Sequence, residues 1–126
     1  GKDLLKIDCK YYLTDWGSRE SKGLNNSTSI DQILENIVCN ELKYRGYDIT
    51  IGRINGLEID FIASKGNETE YYQVSYLLAS DSTVKREFSS LECIPDNYPK
   101  YVLSMDMINR SRNGIIHRNI IDWLLD

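Results

Sequence analysis

The chain has 126 residues, 41% of them hydrophobic, and a formal net charge of −4. That is the length of one domain, residues 1–126, with enough apolar side chain for a buried core and too much for intrinsic disorder. No apolar run approaches the ~18–20 residues of a membrane span, and the acidic balance argues against bulk attraction to phosphate backbones.

Against that acidic background, Lys85-Arg86 and the cluster Arg110, Arg112, His117 and Arg118 are candidates for a local basic patch, with ordinary solvated faces as the more common explanation. The opening Gly1-Lys2-Asp3-Leu4-Leu5 is too short in apolar residues for a signal peptide, and a leading Gly without Met suggests a processed piece of a longer protein. Cys9, Cys39 and Cys93 are odd in number and widely spaced, and the single histidine is His117. A Cys/His zinc site is not expected. Buried, reduced thiols in a cytoplasmic protein are.

The first predicted element is a strand, Lys10-Tyr11-Tyr12-Leu13-Thr14, followed by a polar connection from Gly17 to Ser29. Next comes the clearest element. Ile30, Ile33, Leu34, Ile37, Val38 and Leu42 recur at helical spacing as one apolar stripe. Ser27, Thr28 or Ser29 suits its cap, Asp31 its first turn and Gly46 its end. Glu41 interrupts the stripe, with Arg45 one turn on as a partner. Three strands are predicted after it: Tyr47 to Ile51, Leu57 to Ala63 and Tyr71 to Tyr76. They are joined by Asn55-Gly56, a hairpin signal, and by Lys65-Gly66-Asn67. Connections this short make an antiparallel meander.

A second helix, from about Ser82 to Cys93, buries Val84, Phe88 and Leu91 behind a Ser80 or Asp81 cap. Pro95 and Pro99 bracket the loop after it. Lys100 to Ser104 is a further core strand, Ile115-Ile116 a strand-like pair, and Ile120 to Leu125 a closing helix. Without the first strand and the tail, the order is αβββαβ. The class is α/β (α+β), a mixed central sheet flanked by helices.

Three positions point to chemistry. Glu35 lies at the edge of the first helix's apolar stripe, about 120° from its centre at ~100° per residue. On the second strand of the meander, Glu58 and Asp60 share one face, and Ile59, Phe61 and Ala63 take the other. On the third, Gln73 and Ser75 share a face with Val74 between them. Carboxylates converging from a helix and a strand are the hard oxygen ligands that one or two Mg²⁺ or Mn²⁺ ions require for phosphodiester cleavage. Ser75 has no histidine near it in sequence and no nucleophile-elbow motif, so it is not expected to attack a substrate. Tyr71, Tyr72 and Tyr76 are expected to pack rather than stack on bases. His117 is expected on the surface of a tail strand.

The element order and these positions resemble the PD-(D/E)XK, restriction-endonuclease-like fold. Its pattern is a helix Glu, a strand Asp, then (Asp/Glu)-x-Lys on the next strand. The resemblance implies that Glu35 and Asp60 are retained, that Gln73 stands where the second acid belongs and that Ser75 stands where the lysine belongs. The implied catalytic set, Glu35, Asp60, Gln73 and Ser75, is then vestigial or divergent. The candidate metal ligands, on the strength of that resemblance, are Glu35, Glu58, Asp60 and Gln73. Gln offers a cation only a neutral amide oxygen, and Ser supplies no positive charge to a developing anion.

Over nearly its whole length the chain also resembles the C-terminal domains, of unassigned function, attached to a group of prokaryotic AAA+ ATPases. The matching stretches are Tyr11 to Gly17, Leu34 to Val38, Leu42 to Tyr47, Glu58 to Phe61, Gln73 to Tyr76, Arg86 to Phe88 with Leu91, and Asn97 to Ser104. This implies a parent with an N-terminal P-loop ATPase domain as partner, and a degenerate nuclease-fold module in a regulatory or interaction role. No Walker sequence occurs in the chain itself. Two other readings stand beside it. One is a metal-dependent nuclease with a divergent site. The other is a module that binds DNA without cutting it.

Overall fold

The computed structural model describes the backbone of residues 5–8 and 26–126, and side chains from residue 30 onward. Cys9, the strand predicted over 10–14 and most of the polar connection lie outside the described residues. The elements are β1 (Leu5–Asp8), α1 (Asn26–Tyr44), β2 (Asp48–Ile54), β3 (Leu57–Lys65), β4 (Glu68–Val74), α2 (Asp81–Glu92), β5 (Lys100–Ser104), β6 (Ile116–Asn119) and α3 (Ile120–Leu124).

Local chemistry accounts for most of the boundaries. α1 starts at Asn26, so Ser27 to Ser29 lie within its first turn rather than ahead of it. Its end is a Schellman turn: Gly46 at φ 94° lets its own N–H reach the Lys43 carbonyl and that of Tyr47 reach the Leu42 carbonyl, both at 3.0 Å. Arg45 pairs with Glu41 at 2.7 Å, as the one-turn spacing predicts. Asn55 and Gly56 both have positive φ, 52° and 76°, which is the type I′ hairpin that Asn-Gly favours. Ser80 caps α2 by accepting the Thr83 N–H at 3.2 Å.

The strands form one six-stranded sheet in the order β1-β2-β3-β4-β5-β6. β1 to β4 are antiparallel neighbours, while β5 runs parallel to β4 and β6 parallel to β5. The meander is therefore antiparallel, and α2 is the crossover that makes the sheet mixed. Apolar residues on opposite faces form two cores. Val38, Cys39 and Leu42 of α1 pack with Phe61, Tyr72, Val74, Leu103 and, from α3, Ile120 and Trp123. Val84, Phe88 and Leu91 of α2 pack with Ile59, Ile62, Tyr71 and Val102. Leu42, Phe61 and Phe88 are fully buried, each stabilising the fold by about 1.5–3 kcal/mol. No helix among the described residues is long and apolar enough to cross a membrane.

One expectation fails for a specific reason. Thr50 pairs with Ile62 and Gly52 with Ile59, so β3 carries one residue more than β2 over that interval. This is a β-bulge, and it breaks strict alternation. Phe61 and Ala63 face α1, whereas Ile59 joins Ile62 on the α2 side. Gly52 permits the close approach, since a Cβ there would sit 2.6 Å from Ile62 Cδ1. Asp60 lies inside the bulged interval, so the bulge helps to set its direction.

The tail corrects one more expectation and bears on the basic candidates. His117 is buried, not on the surface, because β6 turns Ile116 outward and His117 inward. Three members of the tail's basic cluster are engaged within the fold. Arg112 pairs with Glu92 at 3.0 Å, Arg118 pairs with Asp126, and His117 is enclosed.

Candidate functional site

The backbone ladder between β3 and β4 is registered from Lys65↔Glu68 to Phe61↔Tyr72. Beyond that point side chains hold the strands. The Asp60 N–H donates to Gln73 Oε1 at 2.6 Å, and the Val74 N–H donates to Asp60 Oδ2 at 2.8 Å. β4 meanwhile continues beside β5, and the Ser75 N–H reaches the Leu103 carbonyl at 3.0 Å.

The parting strands leave a cavity of about 240 Å³. Glu35 enters from α1, Glu58 and Asp60 from β3, and Gln73 and Ser75 from β4 and its end. All five positions singled out in the sequence therefore line one cavity. Asp31 of α1, and Arg86, Glu87 and Ser90 of α2, complete its polar wall. These four were not foreseen there. Asp31 and Glu35 are one turn apart on a helix face, and Arg86, Glu87 and Ser90 flank the Val84/Phe88/Leu91 stripe. The spacing was readable, but nothing in the sequence indicated that both flanks face the same gap.

The cavity is acidic, and burial shapes its protonation. Burial pushes the Glu35 carboxyl up to about 10, reinforced by the negative charges of Asp60, Glu58 and Glu87. It holds its proton at neutral pH. Burial also raises Asp31, against the Tyr76 N–H that it accepts at 2.8 Å and the charge of Arg86. Glu87 is raised by burial too, opposed by Arg86 at 3.3 Å. Glu58, half-exposed, stands 3.8 Å from Arg53.

The donors do not fit a divalent ion as they stand. Among the described residues no three His, Cys, Asp or Glu side chains are arranged to hold a metal. Gln73 Oε1 already accepts a backbone N–H. Ser75, where the resemblance expects a lysine, is buried, and its hydroxyl leans toward the Leu77 carbonyl at 3.4 Å.

His117 belongs to a separate, structural network, across Val102 from Gln73. Its Nδ1 accepts the Arg110 N–H at 2.9 Å, which leaves the Nε2 proton for Ser104 Oγ at 2.7 Å. Ser104 in turn donates to Asp106 Oδ2 at 2.7 Å. The serine proton is directed at a carboxylate rather than at the imidazole, so this is a clamp and not a nucleophile–base pair. Tyr71 and Tyr72 are buried as expected, donating to Asp96 at 2.5 Å and to Glu70 at 2.6 Å, whereas Tyr76, past the end of β4, is exposed rather than packed with them. Cys39 is buried and Cys93 half-buried, both as reduced cysteines.

No family model matches the chain, and no solved structure matches it. An uncharacterised protein of Haemophilus influenzae is 35% identical over 126 residues, an alignment covering 99% of this chain. The chain spans 31% of that relative's length.

Proposed function

We propose that the chain is a PD-(D/E)XK, restriction-endonuclease-like module whose nuclease site has degenerated. It acts as the regulatory or interaction domain of a prokaryotic AAA+ ATPase in the cytoplasm. An antiparallel meander after one helix, then a helical crossover to a parallel strand, supports the fold. The much greater length of the Haemophilus influenzae relative is in keeping with a domain joined to further sequence.

One observation carries the loss of catalysis. A working site of this pattern turns the oxygens of the strand Asp and of the next strand's acid toward a metal ion. Here Asp60 and Gln73 are committed to each other's strands, as hydrogen bonds that close the end of a β-ladder. With Ser75 beside them, no cation stands at the lysine position. The expected result is no cleavage of single- or double-stranded DNA or RNA with Mg²⁺ or Mn²⁺. Cleavage that disappeared in Asp60→Ala would overturn this reading.

The second reading, a nuclease with a divergent site, draws on Glu35, Glu58 and Asp60 lining one cavity. It requires Mn²⁺ binding that Asp60→Asn abolishes, and a flat calorimetric titration would remove it. The DNA-binding reading requires salt-sensitive affinity, and the acidic cavity opposes it.

A further inference from the structure

Ser90 lies on the buried side of α2 at 1% exposure, lines the cavity, and its Oγ has no hydrogen-bond partner. A helical serine commonly returns its hydroxyl to the carbonyl one turn back, as Ser89 does to Lys85. An enclosed hydroxyl left unpaired is unfavourable, and a ligand group that reaches it removes the cost. Around Ser90 the wall carries the carboxyls of Asp31, Glu35, Glu58, Asp60 and Glu87 against one guanidinium, Arg86, which leans on Glu87. Glu35 keeps its proton, but the other four carboxyls still outnumber the one guanidinium, so the surplus is negative, and the ligand it fits is a cation.

The size and the acceptor pattern narrow the choice. About 240 Å³ is below the ~300–1,000 Å³ of small-molecule pockets and is on the scale of one side chain. A divalent ion needs oxygens at ~2.1 Å, whereas an ammonium accepts the wider cage set by ~2.8 Å hydrogen bonds. A guanidinium pairs best with a carboxylate's two-oxygen edge. Asp60 and Asp31 each already give one oxygen to a backbone N–H, so neither presents that edge whole. Single acceptors arriving from α1, β3 and α2 suit the three diverging donors of an ammonium.

We propose that this cavity receives the ammonium of a lysine side chain from a protein partner. The proposal deepens, and rests on, the reading of the chain as an interaction module.

The test is a titration of the ¹⁵N-labelled chain, followed through its backbone amide signals at constant ionic strength. The probes are N-acetyl-lysine methylamide, its arginine counterpart and the neutral N,ε-diacetyl-lysine methylamide, with MgCl₂ titrated separately. The lysine probe should give saturating shifts at Val74, Ser75 and Ser90, the arginine probe should bind at least threefold more weakly, and the neutral probe should give none. Asp31→Asn should weaken binding at least tenfold. Ser75→Lys, which would place the chain's own ammonium in the cavity, should abolish it. Equal binding of the lysine and arginine probes would overturn the ammonium assignment, as would tighter binding of Mg²⁺ at the same amides. Equal shifts from the neutral probe, or no saturable shift in the folded protein, would overturn the site altogether. Those failures leave the non-catalytic reading standing, because only Asp60-dependent cleavage removes it.

Discussion

Asp60 and Gln73 hold each other across the gap between β3 and β4. The Asp60 amide donates to Gln73 Oε1 at 2.6 Å, and the Asp60 carboxylate accepts the next amide of Gln73's own strand, Val74, at 2.8 Å. Two side chains thus extend the β3–β4 ladder past Phe61↔Tyr72, where its backbone pairing ends. The residues that would form the heart of a nuclease site serve here to fix the mouth of a cavity.

Gln73→Leu removes the acceptor that the Asp60 N–H uses at 2.6 Å. The expected cost is about 1–3 kcal/mol, seen as a fall in Tm of roughly 4 °C or more. Gln73→Glu keeps an acceptor but adds a carboxylate to a cavity that five carboxyls already line. It should be near wild type at pH 4–5 and progressively less stable toward pH 8. Thermal melts across that range check both variants, and a deficit of Gln73→Glu that did not change with pH would contradict the electrostatic account.

Glu35 opposes folding as the pH rises. Its carboxyl is pushed from 4.5 to about 10 by burial and by Asp60, Glu58 and Glu87. Its contribution is complete below pH 4.5, where both folded and unfolded chains are protonated. It is lost as the pH rises toward about 10, because the unfolded chain releases the proton first. Glu35→Gln cannot ionise. It should match wild type near pH 4 and exceed it by about 1 kcal/mol or more at pH 8, measured by urea denaturation at both values. A variant less stable than wild type at pH 8 would count against this picture.

His117 has the opposite dependence. Burial lowers its pKa below 6.5, with Arg110 adding to the effect and Asp106 opposing it. Its Nδ1 must stay unprotonated to accept the Arg110 N–H. Above pH 6.5 both states are neutral. Below it the unfolded chain takes the proton first, so stability falls with a slope of at most about 1.4 kcal/mol per pH unit until the folded imidazole titrates. The measurement is the midpoint of the imidazole proton resonances, expected below 6.5. A midpoint above 6.5 would show that the ring is held charged.

Much of the fold was legible because its signals are local. The helical spacing of α1, the Asn55-Gly56 hairpin, the Ser80 cap and the Lys100 to Ser104 strand depend on neighbours within a few residues. Gly46 likewise marks its own helix end. The predicted stripe of α1 holds only in part, since Val38 and Leu42 are buried but Ile33 and Ile37 are exposed, with Gln32, Glu35 and Cys39 buried instead. The bulge was not legible, because β3 looks like an alternating strand until its pairing with β2 is known. His117 looked like a tail residue because its burial comes from β5 and the Arg110 loop.

The sequence by itself determined an α/β chain with Glu35, Glu58, Asp60, Gln73 and Ser75 as the positions of interest, since residue type and spacing carry that information. Tertiary structure alone decided what those positions do for one another. It placed Asp31, Arg86, Glu87 and Ser90 in the same wall, and it turned Asp60 and Gln73 into a clamp rather than an open ligand set. The physical reason is that hydrogen bonds, burial and charge act between residues close in space, and these come from α1, β3, β4 and α2, which only the folded sheet brings together.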